Sequence, residues 1–275
     1  MRELHYFRAV AEELHFGRAA ARLGIAQPPL SRAVAALERR LGVELLQRTS
    51  RSVVLTSAGQ ALLHESGKVL DAVQAAIKRT QRAGQPEPRL PVVMKPGGDA
   101  GLLPEILAEY GRDPGAITVE ILICGIAEQA TWLRDGRADV AFVHHQHDDL
   151  SGFDTEPLLD ERQVVVVPRI HRFAERASVT LDELCGEPLP RWPGTTATTT
   201  GPEIRDSGQL MQLITLGQAI AVLPESVTTR LGRDLVAVPV TDAPPTTMLI
   251  AWAERSHSLP VAAFVRAAAL IASRH

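Results

Sequence analysis

The stretch that decides the fold of this chain is GIAQPPLSRAVAALE, residues 24–38. Apolar residues in it and directly after it are spaced four, three and four positions apart, at Leu30, Val34, Leu37 and Leu41. This spacing predicts a helix that buries all four side chains on one face. Pro28 and Pro29 come immediately before, and proline is tolerated in a first helical turn because the amides there have no partner within the helix. The two prolines therefore predict the start of a helix.

A short helix is predicted just before this one. Residues 17–23 can form it, Gly24 supplies the left-handed conformation that ends it, and Ile25 and Ala26 form a tight turn. An earlier apolar stripe at helical spacing predicts a first helix, with Leu4, Phe7, Val10, Ala11 and Leu14. Helix, glycine turn and helix are the outline of a DNA-binding helix-turn-helix.

Two short strands and a long helix are predicted next. Residues 45–57 are typical of a hairpin around the polar tip 48–52, which in this place is a wing. From Thr56, a predicted N-cap, to about Ala83 the chain is a helix without proline. Its apolar stripe consists of Leu62, Leu63, Val69, Leu70, Val73 and Ile77. We expect this helix to pair with a second copy of the chain, because alone it has nothing to bury the stripe against.

The outward face of the helix at residues 28–41 carries Pro28, Ser31, Arg32, Ala35 and Arg39. Arg32 can donate two hydrogen bonds to guanine, Gln27 can pair with adenine, and Ser31 can serve a base or a phosphate. The alternative is that PPLSR is only a rigid helix start and that each arginine is a solvated charge, which is the preferred interpretation for Arg39 and Arg40. The surrounding helix, turn and wing favour DNA binding.

The charge of the chain is divided unevenly. Residues 1–83 hold thirteen Lys and Arg against seven Asp and Glu, and the remainder holds sixteen against twenty-five, so the two parts carry +6 and −9. A basic N-terminal third points towards nucleic acid. No run of about twenty apolar residues and no signal-peptide pattern occurs. We therefore expect a soluble, cytoplasmic, nucleoid-associated protein without a membrane partner.

Residues 7–59 closely resemble the winged helix-turn-helix of LysR-type transcriptional regulators. Weaker similarity continues through LLPEILAEY at 102–110, LRDGRADVAFV at 133–143 and LITLGQAIAVLP at 213–224. The resemblance implies a dimer through the long helix, assembly commonly to a tetramer, and a C-terminal effector domain like a periplasmic binding protein. It also implies DNA contacts from the second helix, the start of the recognition helix and the wing, at Arg18, Gln27, Pro28, Pro29, Ser31, Arg32, Arg48 and Arg51.

The predicted fold class is an N-terminal all-α winged helix-turn-helix with a long linker helix, followed by a C-terminal α/β two-lobed domain like a periplasmic binding protein. The expected limits are 1–58 for the DNA-binding domain, 59–84 for the dimerising helix and 85–275 for the regulatory domain. Proline-rich AGQPEPRLP, residues 83–91, marks the last boundary. Beyond it, strands at 90–94, 117–123 and 138–143 alternate with helices at about 102–110 and 127–134, which predicts a parallel sheet with helical crossovers. Lobe one is expected at about 90–160 plus the C-terminal helix, and lobe two at about 162–250.

An effector cleft is predicted between the lobes, outside the carboxyl ends of the strands. Three stretches of lobe one meet that description, namely KPGGDAG at 95–101, CGIAEQ at 124–129 and VHHQHDD at 143–149, and RWPGTTATTTG at 191–201 is expected to face them. The candidate effector-binding residues are Gly97, Gly98, Asp99, Gly125, His144, His145, Thr195 and Thr196.

Two departures from the LysR pattern concern this cleft. Members of the family commonly have serine or threonine in the first stretch, ready to bind a carboxylate at a helix N-terminus. Here Asp99 would repel an anion unless it caps the helix and is satisfied there. Residues 185–207 are also rich in proline, glycine and threonine where relatives have room for a further strand and helix. A shorter second lobe with a more open cleft is therefore expected.

Metal binding and catalysis have little support in the sequence. The crowded side chains His144, His145, His147, Asp148 and Asp149 follow no standard zinc spacing, so a polar cleft loop is favoured and no metal or cofactor is predicted. Cys124 and Cys185 lie 61 positions apart and match neither a zinc pair nor a disulfide framework. The sequence has no GxSxG, HExxH or glycine-rich phosphate motif, which argues against an enzyme.

The sequence thus predicts a regulator that binds an interrupted dyad in double-stranded DNA as a homodimer or homotetramer and senses a small molecule in its C-terminal domain. A transport-type binding module is the first rival, and the basic winged head argues against it. An enzyme on the α/β domain is the second. The effector, the target genes and the sign of regulation are not written in the sequence.

Overall fold

A computed structural model describes residues 1–48, 52–144, 149–192, 199–254 and 256–275. They form two compact units, Met1–Arg79 and Thr80–His275. The predicted limits at residues 58 and 84 stay a prediction, since the long helix runs through the division between the units. Within the described ranges, none of the helices combines the length and apolar composition that crossing a membrane requires.

The first unit is helical apart from its wing. Its elements are α1 (Arg2–Glu13), α2 (Phe16–Arg22), α3 (Gln27–Leu41), β1 (Leu46–Arg48), β2 (Val53–Leu55) and α4 (Ser57–Ala83), whose last turn belongs to the second unit. Gly24 has φ +65°, as the predicted turn requires. The Thr56 hydroxyl accepts a hydrogen bond from the Gly59 N–H at 2.9 Å, which confirms the predicted N-cap of α4.

The apolar face of α3 is shorter than predicted. Leu30, Val34 and Leu37 are buried against Phe7 and other side chains of α1 and α2. Leu41 was expected to join them, but it is 45% exposed. The reason is that α3 ends at this residue, and the chain then turns away through Gly42 at φ +72°. Three apolar side chains are therefore enough to fix the helix against its neighbours.

The second unit contains two sheets with flanking helices. Its elements are β3 (Arg89–Met94), α5 (Leu103–Tyr110), β4 (Thr118–Ile123), α6 (Gln129–Arg134), β5 (Val140–His144), β6 (Phe153–Glu161), β7 (Gln163–Pro168), α7 (Ser207–Thr215), β8 (Ala221–Pro224), β9 (Leu235–Pro239), β10 (Thr246–Ala253) and α8 (Leu259–Ala272). Short 3₁₀ helices cover Asp182–Leu184 and Glu225–Arg230.

The predicted parallel sheet with helical crossovers is confirmed for β3, β4 and β5, the strands on which the prediction was based, whereas the other strands of this unit pair antiparallel. In the five-stranded sheet, of order β4-β3-β5-β10-β6, β3 runs parallel to β4 and β5, but β10 is antiparallel to both neighbours. In the three-stranded sheet, of order β8-β7-β9, both pairings are antiparallel. For these antiparallel strands, direction depends on where the longer connections bring the chain back, which the sequence pattern does not encode.

Two lobes are nevertheless present. Lobe one is built on the five-stranded sheet with α5, α6 and α8, and lobe two on the three-stranded sheet with α7. The chain crosses between them twice, from β6 to β7 through Arg162 and from β9 to β10 through residues 240–245. In lobe one α5 and α8 pack together, and the rings of Tyr110 and Phe264 meet edge to face at 5.4 Å.

Candidate nucleic-acid interface and ligand cavity

The turn into the helix-turn-helix is fixed by His15. Its Nδ1 accepts hydrogen bonds from the backbone N–H groups of Gly17 at 3.0 Å and Arg18 at 3.2 Å, so an imidazole caps the N-terminus of α2. The Gly24 turn then leads directly into α3. A capped α2 and a buried α3 face hold the start of α3 in a defined position at the surface.

Five predicted DNA-contacting residues come together at this start. Gln27, Pro28, Pro29 and Arg32 are exposed and Ser31 is half-buried, with the prolines in the first turn. In the described part of the chain, the side chain of Arg32 forms no hydrogen bond and no ion pair. The first two turns of α3 thus present one uncommitted cation among small or uncharged side chains, which suits close approach to base edges.

The other predicted arginines are already engaged. Arg18 is exposed, and its Nε donates to Glu13 Oε2 at 3.2 Å. The guanidinium of Arg48 pairs with Glu38 at 3.1 Å and lies 4.5 Å from the ring centre of Phe16. Contacts within the domain therefore hold the side chains of Arg18 and Arg48 in place. Arg51, the remaining predicted residue of the wing, lies outside the described residues.

Glu38 is a positioning residue that the sequence pattern did not single out. Its Oε1 accepts from the backbone N–H groups of Leu45 at 3.0 Å and Leu46 at 3.1 Å, while Oε2 faces Arg48. One carboxylate therefore ties α3 to the wing. The available signal was a lone acid between the apolar and basic residues of α3, but its target lies seven and eight positions away and belongs to no helical spacing.

Carboxylates neutralise the basic side chains behind α3. Glu12 pairs with Arg8 at 2.7 Å and with Arg22 at 2.8 Å. Burial works to raise the pKa of Glu12, and the hydrogen bonds from the two guanidinium groups outweigh it, so this pKa lies below its ordinary value. Arg40 pairs with Glu3. These ion pairs balance three arginine charges that lie away from the exposed start of α3.

A cavity of about 680 Å³ lies between lobe one and lobe two. Lobe one contributes Lys95, Pro96, Gly97, Ile126, Ala127, Gln129 and His144 to its wall. Lobe two contributes Gln163, Trp192, Ser207, Gly208, Leu210, Met211, Val222, Leu223, Pro224, Ser226, Val227 and Arg230. Its size is that of sites that enclose small organic ligands.

The candidate effector-binding residues divide into three groups. Gly97 and His144 line the cavity. Gly98, Asp99 and Gly125 stand behind the residues described as its wall; the Gly125 N–H, for example, donates to Glu128 Oε2 at 2.9 Å. The candidates His145, Thr195 and Thr196 lie outside the described residues. Thr199, which belongs to the same predicted stretch as Thr195 and Thr196, donates its hydroxyl to the Pro190 carbonyl at 3.2 Å.

Asp99 is satisfied in a way that the sequence did not suggest. It is 3% exposed, and its carboxylate pairs with the guanidinium of Arg230 at 3.1 Å. It does not cap α5, which begins after Leu102 without a side-chain cap. Because Arg230 belongs to lobe two and lines the cavity, this pair joins the two lobes at the cavity wall.

A buried polar cluster lies where β5, β6 and lobe two meet. Glu161 accepts from the Ser226 N–H at 2.9 Å, and its carboxylate lies 3.8 Å from Nε2 of His144. Burial works to raise the pKa of Glu161, and the interactions with His144 and Ser226 outweigh it, so this pKa lies below its ordinary value of 4.5. The sequence did not indicate Glu161 as a residue of this cluster, because strand β6, which ends at Glu161, was not predicted.

Gln129 is a further cavity residue absent from the predicted set, although it ends the stretch CGIAEQ. It is 2% exposed, and its Oε1 accepts no hydrogen bond from any described residue. Ala127 beside it has φ +61°, a left-handed conformation that is strained for alanine. The backbone therefore turns at Ala127, directly before the buried side chain of Gln129 on the cavity wall.

Metal ligation finds no support in the described ranges, where no three His, Cys, Asp or Glu side chains converge on one point. Residues 145–148 of the crowded histidine and aspartate stretch lie outside those ranges. The two cysteines are not bonded to each other; Cys124 is buried and Cys185 is exposed.

Comparison with known proteins agrees with this organisation. Residues 1–60 match the lysR family of bacterial regulatory helix-turn-helix proteins, and residues 83–270 match the LysR substrate binding domain. An uncharacterized HTH-type transcriptional regulator of Escherichia coli, YnfL, is 30% identical over 296 residues, covering 95% of each chain. The regulator AlsR of Bacillus subtilis is 35% identical over 192 residues, covering 69% of this chain and 63% of its own.

A solved structure extends the likeness to both units. Full-length BenM, a regulator known from Acinetobacter baylyi, is 27% identical in its crystal structure, with a TM-score of 0.55, and the match covers 99% of this chain and 96% of that one. The DNA-binding head, the linker helix and the two-lobed domain thus occur in the same order in both chains. The chain belongs to the LysR family of bacterial transcriptional regulators and combines a DNA-binding helix-turn-helix with an effector-binding domain.

Proposed function

We propose that the exposed start of α3 reads base edges in the major groove of duplex DNA. The observation that carries this proposal is the uncommitted guanidinium of Arg32 beside the small surface of Pro28, Pro29 and Ser31. Arg32 would donate two hydrogen bonds to guanine, and Gln27 would pair with adenine. Arg18, Arg48 and Arg51 would face the phosphate backbone. Arg18 and Arg48 are partly balanced by Glu13 and Glu38, but their guanidinium groups could still contact phosphates and so position the domain.

A gel-shift assay with the DNA upstream of the chain's own gene tests this function. Replacing Arg32 with Ala should lower specific affinity by roughly 1 to 3 kcal/mol and relax the sequence preference. Arg39→Ala is the matched control, because Arg39 is also exposed on α3 and also lacks partners in the described part of the chain, but lies two turns further on. Equal losses in the two variants, on specific and on random DNA alike, would contradict base reading by Arg32.

We also propose that the chain acts as a homodimer or homotetramer on an interrupted dyad. Val69 and Ile77 lie eight residues apart on one face of α4 and are 47% and 46% exposed, so this face has apolar surface for a second copy. Ile77→Glu should lower the mass measured by sedimentation, while Gln74→Glu, at an exposed polar position of the same helix, should leave it unchanged. An unchanged mass for Ile77→Glu would place the interface elsewhere.

The cavity between the lobes is proposed as the effector site. A small molecule that binds one arrangement of the lobes better than another would shift the population of that arrangement and with it the separation of the DNA-binding units. No catalysis is needed for this role, and we propose that the chain is not an enzyme and works in the cytoplasm. Compounds that raise the melting temperature of the wild type should lose their effect in Met211→Trp, which fills the cavity.

A further inference from the structure

The last turn of α4 is attached to lobe one by Arg82. One nitrogen of its guanidinium donates to the Gly136 carbonyl at 2.6 Å, and another donates to Asp139 Oδ1 at 2.7 Å. Both acceptors lie in the turn between α6 and β5, 54 and 57 positions further along the chain. The side chains of Arg82 and Asp139 are only 19% and 20% exposed, so salt and solvent screen this pair less than a surface pair.

The chain connection at this point has no regular structure of its own. Residues 84–88 are exposed and belong to no helix or strand, and β3 begins only at Arg89. A connection of this kind leaves the helix and the strand some freedom of relative orientation. The contacts of Arg82 restrict this freedom, because a guanidinium that donates to two acceptors fixes direction as well as distance.

The turn that binds Arg82 is linked to the cavity by two elements of lobe one. It follows α6, whose first residue, Gln129, lines the cavity. It leads into β5, whose last residue, His144, lines the cavity as well. All five residues of β5 are buried, and a strand of this length spans roughly 16 Å. Packed elements move as units, so a shift at the cavity wall reaches the turn at 135–139.

The segment directly before α6 contacts lobe two. Ile126 packs with Trp192 and Met211 around the hydrophobic cluster of lobe two, and these three side chains all line the cavity. The Ile126 N–H also donates to the Arg205 carbonyl at 3.4 Å. A molecule in the cavity would therefore alter the packing between lobe two and the segment that leads into α6.

We infer that Arg82 is a positioning residue that carries the state of the cavity to α4. When a ligand favours another position of lobe one relative to lobe two, the turn at 135–139 moves with lobe one. The two hydrogen bonds of Arg82 then make the last turn of α4 follow. This inference rests on the proposed effector role of the cavity, and it adds that the response passes through a side chain of the helix rather than through the exposed connection at 84–88.

A covalent occupant of the cavity tests the inference without knowledge of the effector. The parent for this test is the full-length chain with Met211→Cys, at the cavity wall, and Cys185→Ser, which removes the exposed native thiol. Benzyl methanethiosulfonate labels the introduced thiol, and mass spectrometry confirms a single label. Gel shifts with the upstream DNA then give the ratio of the affinities of the labelled and the unlabelled chain. In the parent this ratio should differ from one by roughly fivefold or more, the lower end of allosteric coupling.

Arg82→Met in this parent should bring the ratio close to one. Hydrogen exchange should still change on labelling at residues 124–134, but no longer at residues 80–83. Arg266→Met is the matched control and should keep the ratio of the parent. Arg266 also pairs with an aspartate of lobe one, Asp113, at 3.1 Å, but it lies on α8, which contributes no described residue to the cavity wall. A merely structural defect would change the affinities of the labelled and unlabelled chains together and leave their ratio as it was.

Two results would overturn the inference. An equal ratio in Arg82→Met and in the parent would show that the response does not need Arg82, while leaving the effector role of the cavity intact. A ratio of one in the parent would contradict the inference and the effector role together. Should Arg82→Met not fold, Arg82→Lys decides. It keeps the charge but loses the planar fork that serves both acceptors, so its ratio should lie clearly closer to one, and the full ratio of the parent would again overturn the inference.

Discussion

Glu38 on α3 and Arg48 on the wing form an ion pair, with 3.1 Å between Oε2 and the guanidinium nitrogen. The second oxygen of Glu38 accepts from the N–H groups of Leu45 and Leu46, which lead into the wing. The Glu38 side chain is only 16% exposed, so water would replace these bonds poorly. The spacing between the proposed base-reading helix and the wing therefore depends on one carboxylate.

Glu38→Ala should lower the free energy of unfolding of the first unit by about 1 to 3 kcal/mol, because two backbone N–H groups lose their acceptor. Glu38→Gln keeps an amide oxygen for them and loses only the charge, so it should cost less. Urea unfolding gives the free energies, and hydrogen exchange of residues 42–56 locates the change. If the two variants were equally destabilised, the backbone hydrogen bonds would not be the contribution that matters.

The pair of Asp99 and Arg230 should couple the two lobes. Arg230→Ala leaves Asp99 buried without a partner and should lower the free energy of unfolding by roughly 1 to 3 kcal/mol. The lower end of this range applies because the guanidinium of Arg230 is half-exposed. Asp99→Asn with Arg230→Ala should cost less than the sum of the single changes, because no buried charge is then left over. Thermal unfolding of the four proteins measures this, and strict additivity would show that the pair contributes nothing.

Glu161 makes the stability of the second unit dependent on pH. Its pKa is lowered in the folded chain from an ordinary value of 4.5, so the unfolded chain binds more protons near that pH. The stabilisation is therefore complete above about pH 4.5 and is lost as the pH falls through the lower, folded-state pKa. Glu161→Gln should flatten this dependence on the acid side, as followed by urea unfolding from pH 7 downwards.

Glu175→Gln is the control for this pH dependence, because Glu175 is an exposed carboxylate between the same two crossings of the chain. Its unfolding curve should keep the steep acid side of wild type. A wild-type slope in Glu161→Gln would mean that another carboxylate carries the dependence.

Local patterns predicted the first unit well and the second unit less well. The glycine turn, the proline start of α3, the wing and the Thr56 cap are properties of a few neighbouring residues, and the structure has them all. Leu41 was misjudged because the helical period continues to the last residue of α3, whereas the packing partners end earlier. Strand β6 was missed because its residues show neither regular alternation nor a continuous apolar run, whereas the apolar run LVAVP of β9 was a strand signal that the prediction overlooked.

The residues of the cavity were harder to predict from local sequence patterns than the elements of the first unit. The stretch around Gly97 and His144 could be placed near a cleft from strand ends alone. That Asp99 pairs with Arg230 could not be foreseen, because 131 positions separate them and neither belongs to a recognisable motif. Gln129 stood in a predicted stretch, but only its burial and its unsatisfied oxygen distinguish it from its neighbours. Contacts between lobes are set by tertiary packing, which a single sequence does not display.

Gly59 and Gly67 of α4 should respond to alanine in opposite ways. A Cβ at Gly59 would lie 2.0 Å from the Leu45 carbonyl oxygen and 2.9 Å from a methyl group of Leu55, whereas a Cβ at Gly67 meets nothing within 4 Å. The obstacle at Gly59 is backbone of the wing, which cannot move without breaking the Thr56 contacts to the same carbonyl. Gly59→Ala should therefore destabilise the first unit by about 3 kcal/mol.

Gly67→Ala should stabilise the same unit by about 0.5 to 1 kcal/mol, because alanine loses less backbone entropy than glycine in a helix interior. Urea unfolding of both variants, with the gel-shift assay alongside, checks the pair. DNA binding should weaken in Gly59→Ala, where the clash separates α4 from the wing, and should persist in Gly67→Ala. A stabilised Gly59→Ala would show that the start of α4 does not pack on β1 as closely as this contact requires.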